Sequence, residues 1–511
     1  MLLDGRSLTV ADVVRIARGA GGSGATVTIA PPAAARLAES RRIVEDAIAR
    51  GDVLYGVNTG FGKLANVRID AAKLDELQLN LIRSHAAGVG EPLPADVVRA
   101  MMLLRANVLL RPTSGVRPIL PEALVHLLNS GIIPVVPEQG SVGASGDLAP
   151  LAHLALALIG EGEVLAPGSA GRREPAGAAL KAAGLAPFQF APKEGLAFIN
   201  GTQAQTAALA LLVGDAEVLW RSAVGAAAMS LDALRGTPTP LDPRIHAQRP
   251  HRGQGRTAEL MRNLLRASTI RESHRNDDPR VQDAYSIRCT PQVLGAVADA
   301  IAFAKSCVEV ELNASTDNPL VFAEGDILSG GNFHGQPVAQ AIDFLAIALV
   351  TLQALAERRI ERMVNPDLSQ GLPAFLTADP GLSSGYMMVQ ITAASLVAES
   401  RTLAYPASIG SIPTDANQED FVPMGMAGAI KTRRILANAQ RVVAAEYLCA
   451  AQGLEFLRPL TSGAGVEQLF RRVRQGDHGV PKLGTDRPVG SDVEKLAIAL
   501  ANGDLDPLPG G

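Results

Sequence analysis

The chain has 511 residues, of which 47% are hydrophobic and only 4% aromatic, and its net charge is -4 from 47 basic and 51 acidic residues. Charges so evenly balanced and mixed argue against nucleic acid or an anionic membrane as the main partner. The cysteines, Cys289, Cys307 and Cys449, form no CxxC pair, so we expect neither a disulfide framework nor a zinc site. No secretory signal is visible, and we expect a cytoplasmic protein.

The first 200 residues combine short apolar segments with helical patterns and turn-rich loops. Helical periodicity is found at residues 33–50, 71–83, 94–110 and 119–130. Residues 131–146 are rich in turn-forming residues, and an apolar, helix-like stretch follows Asp147. These features predict a smaller region of mixed structure, residues 1–200, that carries loops available for a site.

From residue 201 the chain becomes a succession of long helices. The clearest pattern is at 337–364, where apolar positions recur every three or four residues until Pro366 stops the helix. Similar patterns occur at 202–234, 291–314, 385–404 and 424–457. The apolar stretch 338–356 carries Gln340, Asp343 and Gln353, so we interpret it as a core helix and not a membrane span. The sequence therefore predicts a mainly all-α fold, with residues 201–511 forming a long-helix bundle.

Several polar loops interrupt this apolar chain, and each has an ordinary structural explanation. The loop "YGVNTGFGKLA" begins at Tyr55, and a packed tyrosine on a glycine-rich loop would explain it. His85 ends a leucine-rich segment, where a histidine commonly caps a helix. Arg288 lies in the polar stretch 276–292, for which we expect no helix before Pro291, and could bind a carboxylate or form a salt bridge. A capped turn would account for Glu419 and Asp420 equally well.

The segment Gly143-Ala144-Ser145-Gly146 places a serine among small residues just before a helix. A catalytic serine of the hydrolase type would need a G-x-S-x-G elbow between strand and helix, which the sequence lacks. A phosphate-binding loop would need a lysine after its glycines, and none follows. Neither explanation of Ser145 agrees with the surrounding sequence.

The combination of these segments closely resembles the histidine and aromatic amino acid ammonia-lyase family over nearly the whole chain. The motifs that carry the resemblance occur in the family's order: "YGVNTGFG", "GSVGASGDLAPLAH", "KEGLAFINGTQ", "QDAYSIRCTPQ", "STDNPLVF" and "GGNFHGQP". The resemblance implies that Ala144, Ser145 and Gly146 cyclise on their own backbone to methylidene-imidazolone, with loss of two waters. It implies no external cofactor and no metal.

The resemblance also assigns roles to residues of this chain. Tyr55 would remove a proton from the β-carbon of an amino acid substrate. The pKa of free tyrosine is about 10, so we expect the site to lower it. The other implied residues are Arg288 and Asn200 for the substrate, Tyr285 and Gln282 for the polar wall, and Phe333 as a shield.

The resemblance further implies a homotetramer whose active sites are shared between chains. The cofactor, Tyr55, His85, Asn200 and Glu419 would come from one chain. Tyr285 and Arg288 would come from a second chain, and Phe333 from a third.

The substrate is expected to be an amino acid, bound as a small molecule, and the residues of the pocket indicate which one. His85 and Glu419 match the hydrogen-bonding pattern of an imidazole and would be costly to bury against a phenyl ring. We therefore expect elimination of ammonia from L-histidine to give urocanate. Tyr405, Phe421 and Pro423 depart from the "LAHPAS" and "EDHVSMG" segments usual in histidine lyases. A lyase or aminomutase for tyrosine, phenylalanine or a modified histidine remains the alternative.

Overall fold

The computed structural model of the chain describes residues 1–19, 26–165, 171–276 and 278–508. The chain divides into two compact units, each made of three separate segments. The first unit contains Met1–Gly214, Ala304–Asp343 and Pro406–Ile430, and the second contains Asp215–Phe303, Phe344–Tyr405 and Lys431–Gly511. The sequence-based division into residues 1–200 and 201–511 places a single boundary instead, and it stays a prediction.

The first unit consists of short and medium helices around an apolar core. Its helices are Val10–Arg18, Pro31–Arg50, Leu74–His85, Ala95–Leu109, Ile119–Asn129, Leu148–Leu158, Ala176–Ala182 and Glu194–Ile199. The helix Val10–Arg18 begins with a capping box, in which Thr9 and Asp12 satisfy each other's free backbone N–H groups. The helix Ala95–Leu109 is at the centre, since 12 of its 15 residues are buried.

Three helices of this unit pack against one another and place the ends of three polar loops. Leu148–Leu158 contacts both Leu74–His85 and Glu194–Ile199, and these last two also contact each other. His85 is the last residue of Leu74–His85. Asp147 directly precedes Leu148–Leu158, and Asn200 directly follows Glu194–Ile199. Mutual packing of these helices therefore brings three positions that are remote in sequence to one region.

The strands of the first unit are short and lie at its loops. Leu2–Leu3 pairs in parallel with Thr28–Ile29, and the other pairings are antiparallel. These join Val89–Pro92 to Pro137–Gln139, Glu163–Leu165 to both Ile133–Pro134 and Arg173–Pro175, and Leu320–Val321 to Ile327–Leu328. Short 3-10 turns occur at Gly62–Leu64, Ala71–Lys73 and Asp415–Asn417.

The second unit is dominated by helices. Those that lie wholly within it are Pro243–Ala247, Arg252–Leu264, Thr269–Ser273, Tyr285–Arg288, Met387–Leu403, Ala464–Arg474 and Gly490–Asn502, with 3-10 turns at Thr239–Leu241 and Ala374–Leu376. A fully buried ion pair lies in its core, where Arg359 Nε is 2.5 Å from Glu446 Oε1 and Ser230 Oγ donates to the same oxygen. The pair is satisfied internally, as a buried charge requires.

Four long helices have the larger part of their residues in the second unit. They are Gln203–Ala233, Thr290–Glu311, Gln336–Val364 and Gly425–Glu455. In the third of these, Leu345, Leu349 and Leu352 of the predicted apolar stripe are all buried. The prediction of a mainly helical fold is confirmed, and the predicted long helices agree with the observed ones to within three residues at each end.

The helix Gln336–Val364 is also long and apolar enough to cross a membrane, and it is the one such helix among the described residues. In the apolar 18-residue stretch of this helix that meets the criterion, 61% of the residues are buried inside the protein. A buried core helix meets the same criterion of length and composition, so a single example is weak evidence for a membrane span.

Candidate active site

The segment Gly143-Ala144-Ser145-Gly146 forms a tight turn that neighbouring backbone holds in place. Gly143, Ser145 and Gly146 have φ values of 75°, 51° and 76°, in the left-handed region. The Gly335 N–H donates to Gly143 O at 3.1 Å, and Gly146 pairs with Gly201 in a parallel bridge. Ala144 is buried, whereas the Ser145 side chain faces a cavity. The turn therefore exposes the Ser145 side chain to the cavity, while its other residues are buried.

Asp147 fixes the turn to the start of the helix Gln203–Ala233. Its carboxylate is fully buried and accepts hydrogen bonds from Ser141 Oγ at 2.7 Å and from the Gln205 N–H at 2.9 Å. Burial raises the pKa of Asp147 to about 6, and these hydrogen bonds oppose that increase. Asp147 therefore stabilises the backbone on which Ser145 is mounted.

Tyr55 lies half-buried at the edge of the same cavity. Its phenolic oxygen accepts a hydrogen bond from the Gly62 N–H at 3.1 Å. The pKa of Tyr55 is nevertheless raised, first by burial and then by the negative charges of Asp415 and Glu419, and only the Gly62 hydrogen bond lowers it. The expectation that the site would lower this pKa is therefore wrong for the single chain, because burial of the phenol and the charges of Asp415 and Glu419 outweigh the Gly62 hydrogen bond.

Two contacts of the His85 Nδ1 atom favour one tautomer of this histidine. The Nδ1 atom lies 2.9 Å from the Leu81 carbonyl oxygen, which can only accept, and 3.1 Å from Ser84 Oγ, which can also accept, so both contacts suit a proton on Nδ1. Burial lowers the pKa of His85, although Leu81, Glu419 and Asp415 favour its protonated form. A neutral His85 with this tautomer has Nε2 available as a hydrogen-bond acceptor.

Asn200 presents an unpaired acceptor in the same region. Its Nδ2 group donates to Asn318 O at 3.1 Å, while the buried Oδ1 atom has no partner within the described residues. The fully buried Arg105 holds the Asn200 turn by donating to Asn200 O at 3.1 Å and Ala197 O at 2.5 Å. An unpaired buried acceptor is costly, so Oδ1 is suited to a ligand that donates a hydrogen bond.

Glu419 contacts the serine-bearing turn, residues 143–146, directly. Its Oε1 atom accepts from Ser145 Oγ at 2.6 Å, and its Oε2 atom accepts from Thr414 Oγ1 at 2.7 Å. The preceding turn contains three consecutive left-handed residues, Asp415–Asn417. Left-handed φ values are strained for residues other than glycine. Such a run therefore indicates that contacts with the surrounding structure hold this segment in its conformation.

These side chains surround one cavity of about 660 Å³ in the first unit. Its lining includes Tyr55, His85, Ser145, Asn200, Phe333 and Glu419. A second cavity of about 420 Å³ shares Tyr55, Ser145, Phe333 and Glu419, and adds Ala144, His334, Asp420 and Phe421. The volumes suit a small organic ligand. Among the described residues, no group of three or more His, Cys, Asp or Glu side chains could hold a metal ion.

Phe333 lies on the same chain as the other residues of this cavity. The expectation that a third chain would supply it is therefore corrected. The segment 329–335 reaches the turn of residues 143–146 because the Gly335 N–H donates to Gly143 O, and this backbone contact is not apparent from the sequence.

The remaining predicted residues belong to the second unit. Gln282 and Arg288 line a cavity of about 570 Å³ there. The Arg288 guanidinium lies 4.5 Å from the centre of the Tyr285 ring, and Tyr285 is 71% exposed. The buried Nε of Arg288 has no partner among the described residues. Contrary to the expectation of no helix before Pro291, Tyr285–Arg288 is a short helix that follows Ala284, and a second helix begins at Thr290.

Sequence reasoning missed two residues that organise the site. Arg105 interrupts an apolar helix, and a single arginine in "MMLLRANVLL" was the available signal that a buried partner exists. Asp415 was visible in "TDANQEDF", but nothing in the sequence shows that its carboxylate accepts a hydrogen bond from Lys63 N at 3.0 Å.

Comparison with known proteins shows the family of this chain. A family described as aromatic amino acid lyase matches residues 8–475. The chain belongs to the aromatic amino acid lyase family. As a member of that family, it is a carbon–nitrogen lyase whose substrate is an amino acid, a small molecule.

Individual relatives are similar over the full length of this lyase. Histidine ammonia-lyase of Geobacillus thermodenitrificans is 50% identical over 517 aligned positions, which cover 100% of this chain and 99% of that protein. The crystal structure of histidine ammonia-lyase from Trypanosoma cruzi has a TM-score of 0.90 at 42% identity and covers 99% and 94% of the two chains. A tyrosine aminomutase from Streptomyces globisporus has a TM-score of 0.92 at 40% identity, with coverage of 99% and 97%.

The close approach at Gly146 leads to a prediction about stability. In Gly146→Ala, the added methyl group would collide with the backbone of Gly201, and the positive φ would be strained as well. We expect the free energy of unfolding to fall by about 3 kcal/mol or more, measured by urea denaturation.

Gly51→Ala is the matched control. Gly51 has a φ of 79° but nothing within 4 Å of its added methyl group, so only the backbone strain applies. That variant should lose about 1 kcal/mol. Equal losses in the two variants would contradict the close packing of Gly146 against Gly201.

Proposed function

We propose that this lyase eliminates ammonia from L-histidine without oxidation and releases urocanate. One observation carries the proposal: His85 and Glu419 line the same cavity as Tyr55 and Ser145. An imidazole ring offers up to two N–H donors, a phenol one and a phenyl ring none. His85 Nε2 and the Glu419 carboxylate are acceptors, so an imidazole satisfies them best. The similarity to histidine ammonia-lyases at about half identity supports the same substrate.

The residues of the cofactor turn fit a methylidene-imidazolone formed from Ala144, Ser145 and Gly146. Cyclisation requires the Gly146 nitrogen to approach the Ala144 carbonyl carbon, and left-handed φ values at Ser145 and Gly146 favour such a tight turn. Two waters are lost, one of them from the Ser145 side chain. The group would supply an electrophile for the substrate amine, and no external cofactor is needed.

Loss of the Ser145 hydroxyl has a consequence for Glu419. That hydroxyl is the donor that occupies Glu419 Oε1, while Thr414 occupies Oε2. Once the serine has lost its oxygen as water, Oε1 is free to accept a hydrogen bond from an imidazole N–H. The unpaired Oδ1 of Asn200 is an acceptor for the α-ammonium group of the substrate.

Tyr55 is proposed as the base that removes the β-proton. Because acidic neighbours and burial raise its pKa in the single chain, the phenol needs a positive charge close by to ionise near neutral pH. Arg288 of a second chain is proposed to provide that charge and to bind the substrate carboxylate through its guanidinium. Its unpaired Nε atom supports this role, and Tyr285 and Gln282 would accompany it.

A homotetramer with shared sites follows from that assignment. Phe344, Ile347 and Met388 of the second unit are 46–57% exposed, which supports burial of apolar surface between chains. In our proposal, the cofactor, Tyr55, His85, Asn200, Phe333 and Glu419 come from one chain, and Tyr285 and Arg288 from another. The tetramer is proposed to act in the cytoplasm, as befits a soluble metabolic enzyme.

A second candidate is an aminomutase or lyase acting on tyrosine, phenylalanine or a modified histidine. The observation that favours it is Phe421, which replaces the histidine usual in histidine lyases and stacks on His334 with ring centroids 6.2 Å apart. Both residues line the smaller cavity. Tyr405 and Pro423 depart from the histidine-lyase segments as well, and the similarity to a tyrosine aminomutase is consistent with this candidate.

A panel of amino acids distinguishes the two candidates, with the conjugated product followed by its ultraviolet absorbance. We expect L-histidine to react fastest. Glu419→Gln and His85→Leu should each raise the barrier for histidine by about 2–3 kcal/mol, because the first removes the negative charge of an acceptor for the imidazole and the second removes the acceptor itself. Glu324→Gln, at an exposed position on a loop of the same unit, is the control and should leave kcat/KM unchanged. Faster reaction of tyrosine, or formation of a β-amino acid, would establish the second candidate instead.

Co-expression tests the shared site. Ser145→Ala and Arg288→Glu should each be nearly inactive alone, but together they should form mixed tetramers that regain part of the activity, since some sites combine an intact turn with an intact arginine.

Ser145→Ala co-expressed with Tyr55→Phe is the control. Both residues come from the same chain in our proposal, so no mixed site is complete and no activity should return. Recovery in the control, or none in the first pair although mixed tetramers form, would contradict the shared arrangement.

A further inference from the structure

Asp415 links the loop that carries Tyr55 to the turn that carries Glu419. Its Oδ2 atom accepts a hydrogen bond from Lys63 N at 3.0 Å, and Lys63 directly follows Gly62. The Gly62 N–H in turn donates to the phenolic oxygen of Tyr55 at 3.1 Å. Two successive backbone N–H groups of one 3-10 turn thus bind a phenol and a carboxylate.

The packing at Gly62 shows that this contact is built into the fold. A methyl group added to Gly62 would collide with the Asp415 carboxylate, and Gly62 has a φ of 52°. Asp415 itself has a φ of 48° and begins the left-handed run Asp415–Asn417. The left-handed backbone of Asp415 and the absence of a side chain at Gly62 together allow the carboxylate to reach the turn.

We propose that Asp415 is a positioning residue, which holds the Gly62–Leu64 turn against Tyr55 and places a negative charge that opposes ionisation of the phenol. This inference rests on the proposed role of Tyr55 as the base. Through the hydrogen bond to Lys63 N, the carboxylate fixes the Gly62 N–H that binds the phenolic oxygen. Through its charge, it resists the conversion of that phenol to the phenolate.

Other ionisable groups face the same region, and the test must leave these residues unchanged. Those that line the two cavities with Tyr55 are Asp415, Glu419, Asp420, His85 and His334, and Lys63 lies beside Gly62. Burial and the charges of Asp415 and Glu419 raise the pKa of Tyr55. Removal of the Asp415 charge therefore lowers the pKa of Tyr55. In a plot of kcat against pH, the rise in kcat that reports ionisation of the base should then occur at lower pH.

The test compares Asp415→Asn with Asp415→Ala in the assembled enzyme. Asparagine keeps an oxygen that can accept from Lys63 N but has no charge, whereas alanine loses both. Tyr55 is titrated by tyrosinate absorbance, with the titration of the matching Tyr55→Phe protein subtracted. We expect its pKa to fall by about half a unit in Asp415→Asn, less than the ~1–3 units of a directly paired charge, because the carboxylate binds the Lys63 N–H and not the phenol itself. The shift should shrink in ~1 M salt.

The two variants should also differ in turnover. With its turn no longer held, Asp415→Ala should have a kcat about tenfold or more below that of Asp415→Asn at a pH where Tyr55 is ionised, with a smaller change in KM. Asp46→Asn, at an exposed position of the helix Pro31–Arg50, is the control and should change neither quantity.

The inference is overturned if both Asp415 variants keep the wild-type titration of Tyr55 and the wild-type turnover. Failure of the underlying assignment looks different, since Tyr55→Phe would then retain near-normal turnover. In that case the effect of Asp415 on the titration of Tyr55 could still be observed, and only its connection with catalysis would be lost.

Discussion

The site depends on the close approach of two backbone turns at Gly146 and Gly201. The Asp147 N–H donates to Gly201 O at 2.7 Å, and no side chain could occupy the space between the two glycines. This contact places the serine turn beside the turn that carries Asn200, although the two are more than fifty residues apart in sequence. Because the contact is made by backbone atoms, it does not depend on flexible side chains and holds Ser145 in a defined position relative to the cavity.

Buried polar groups support both turns from behind. Arg105 binds carbonyl oxygens of the segment that ends at Asn200, and Lys193 forms a fully buried ion pair with Asp317 at 2.6 Å, beside Asn318. Burial lowers the pKa of Lys193, which Asp317 opposes. A buried charge that loses its partner typically costs about 3–5 kcal/mol, so these groups tolerate little displacement. The chemistry of the cavity therefore rests on a rigid frame, and the strained turn at Asp415–Asn417 is held against that frame by its contacts.

Much of the fold could be predicted from the sequence because local periodicity determines it. The helix Gln336–Val364 follows from its apolar stripe and from Pro366, whereas the candidate site residues come from the resemblance of ordered motifs to a known family. The direction of the Tyr55 pKa shift could not be predicted, since it depends on how far folding buries the phenol and on how close it brings Asp415 and Glu419. The position of Phe333 was missed for the same reason, because the contact of Gly335 with Gly143 joins residues nearly two hundred positions apart. Short-range patterns contain no information about such contacts.

The central claim is that Ala144, Ser145 and Gly146 become the electrophile of a histidine ammonia-lyase. The mass of the proteolytic peptide that spans Ser145 tests it most directly, in enzyme whose activity has been measured in the same preparation. The account predicts a mass lower than the sequence mass by two water molecules in the wild type, and an unaltered mass in Ser145→Ala. A fully active enzyme whose peptide retained the complete sequence mass would contradict the account.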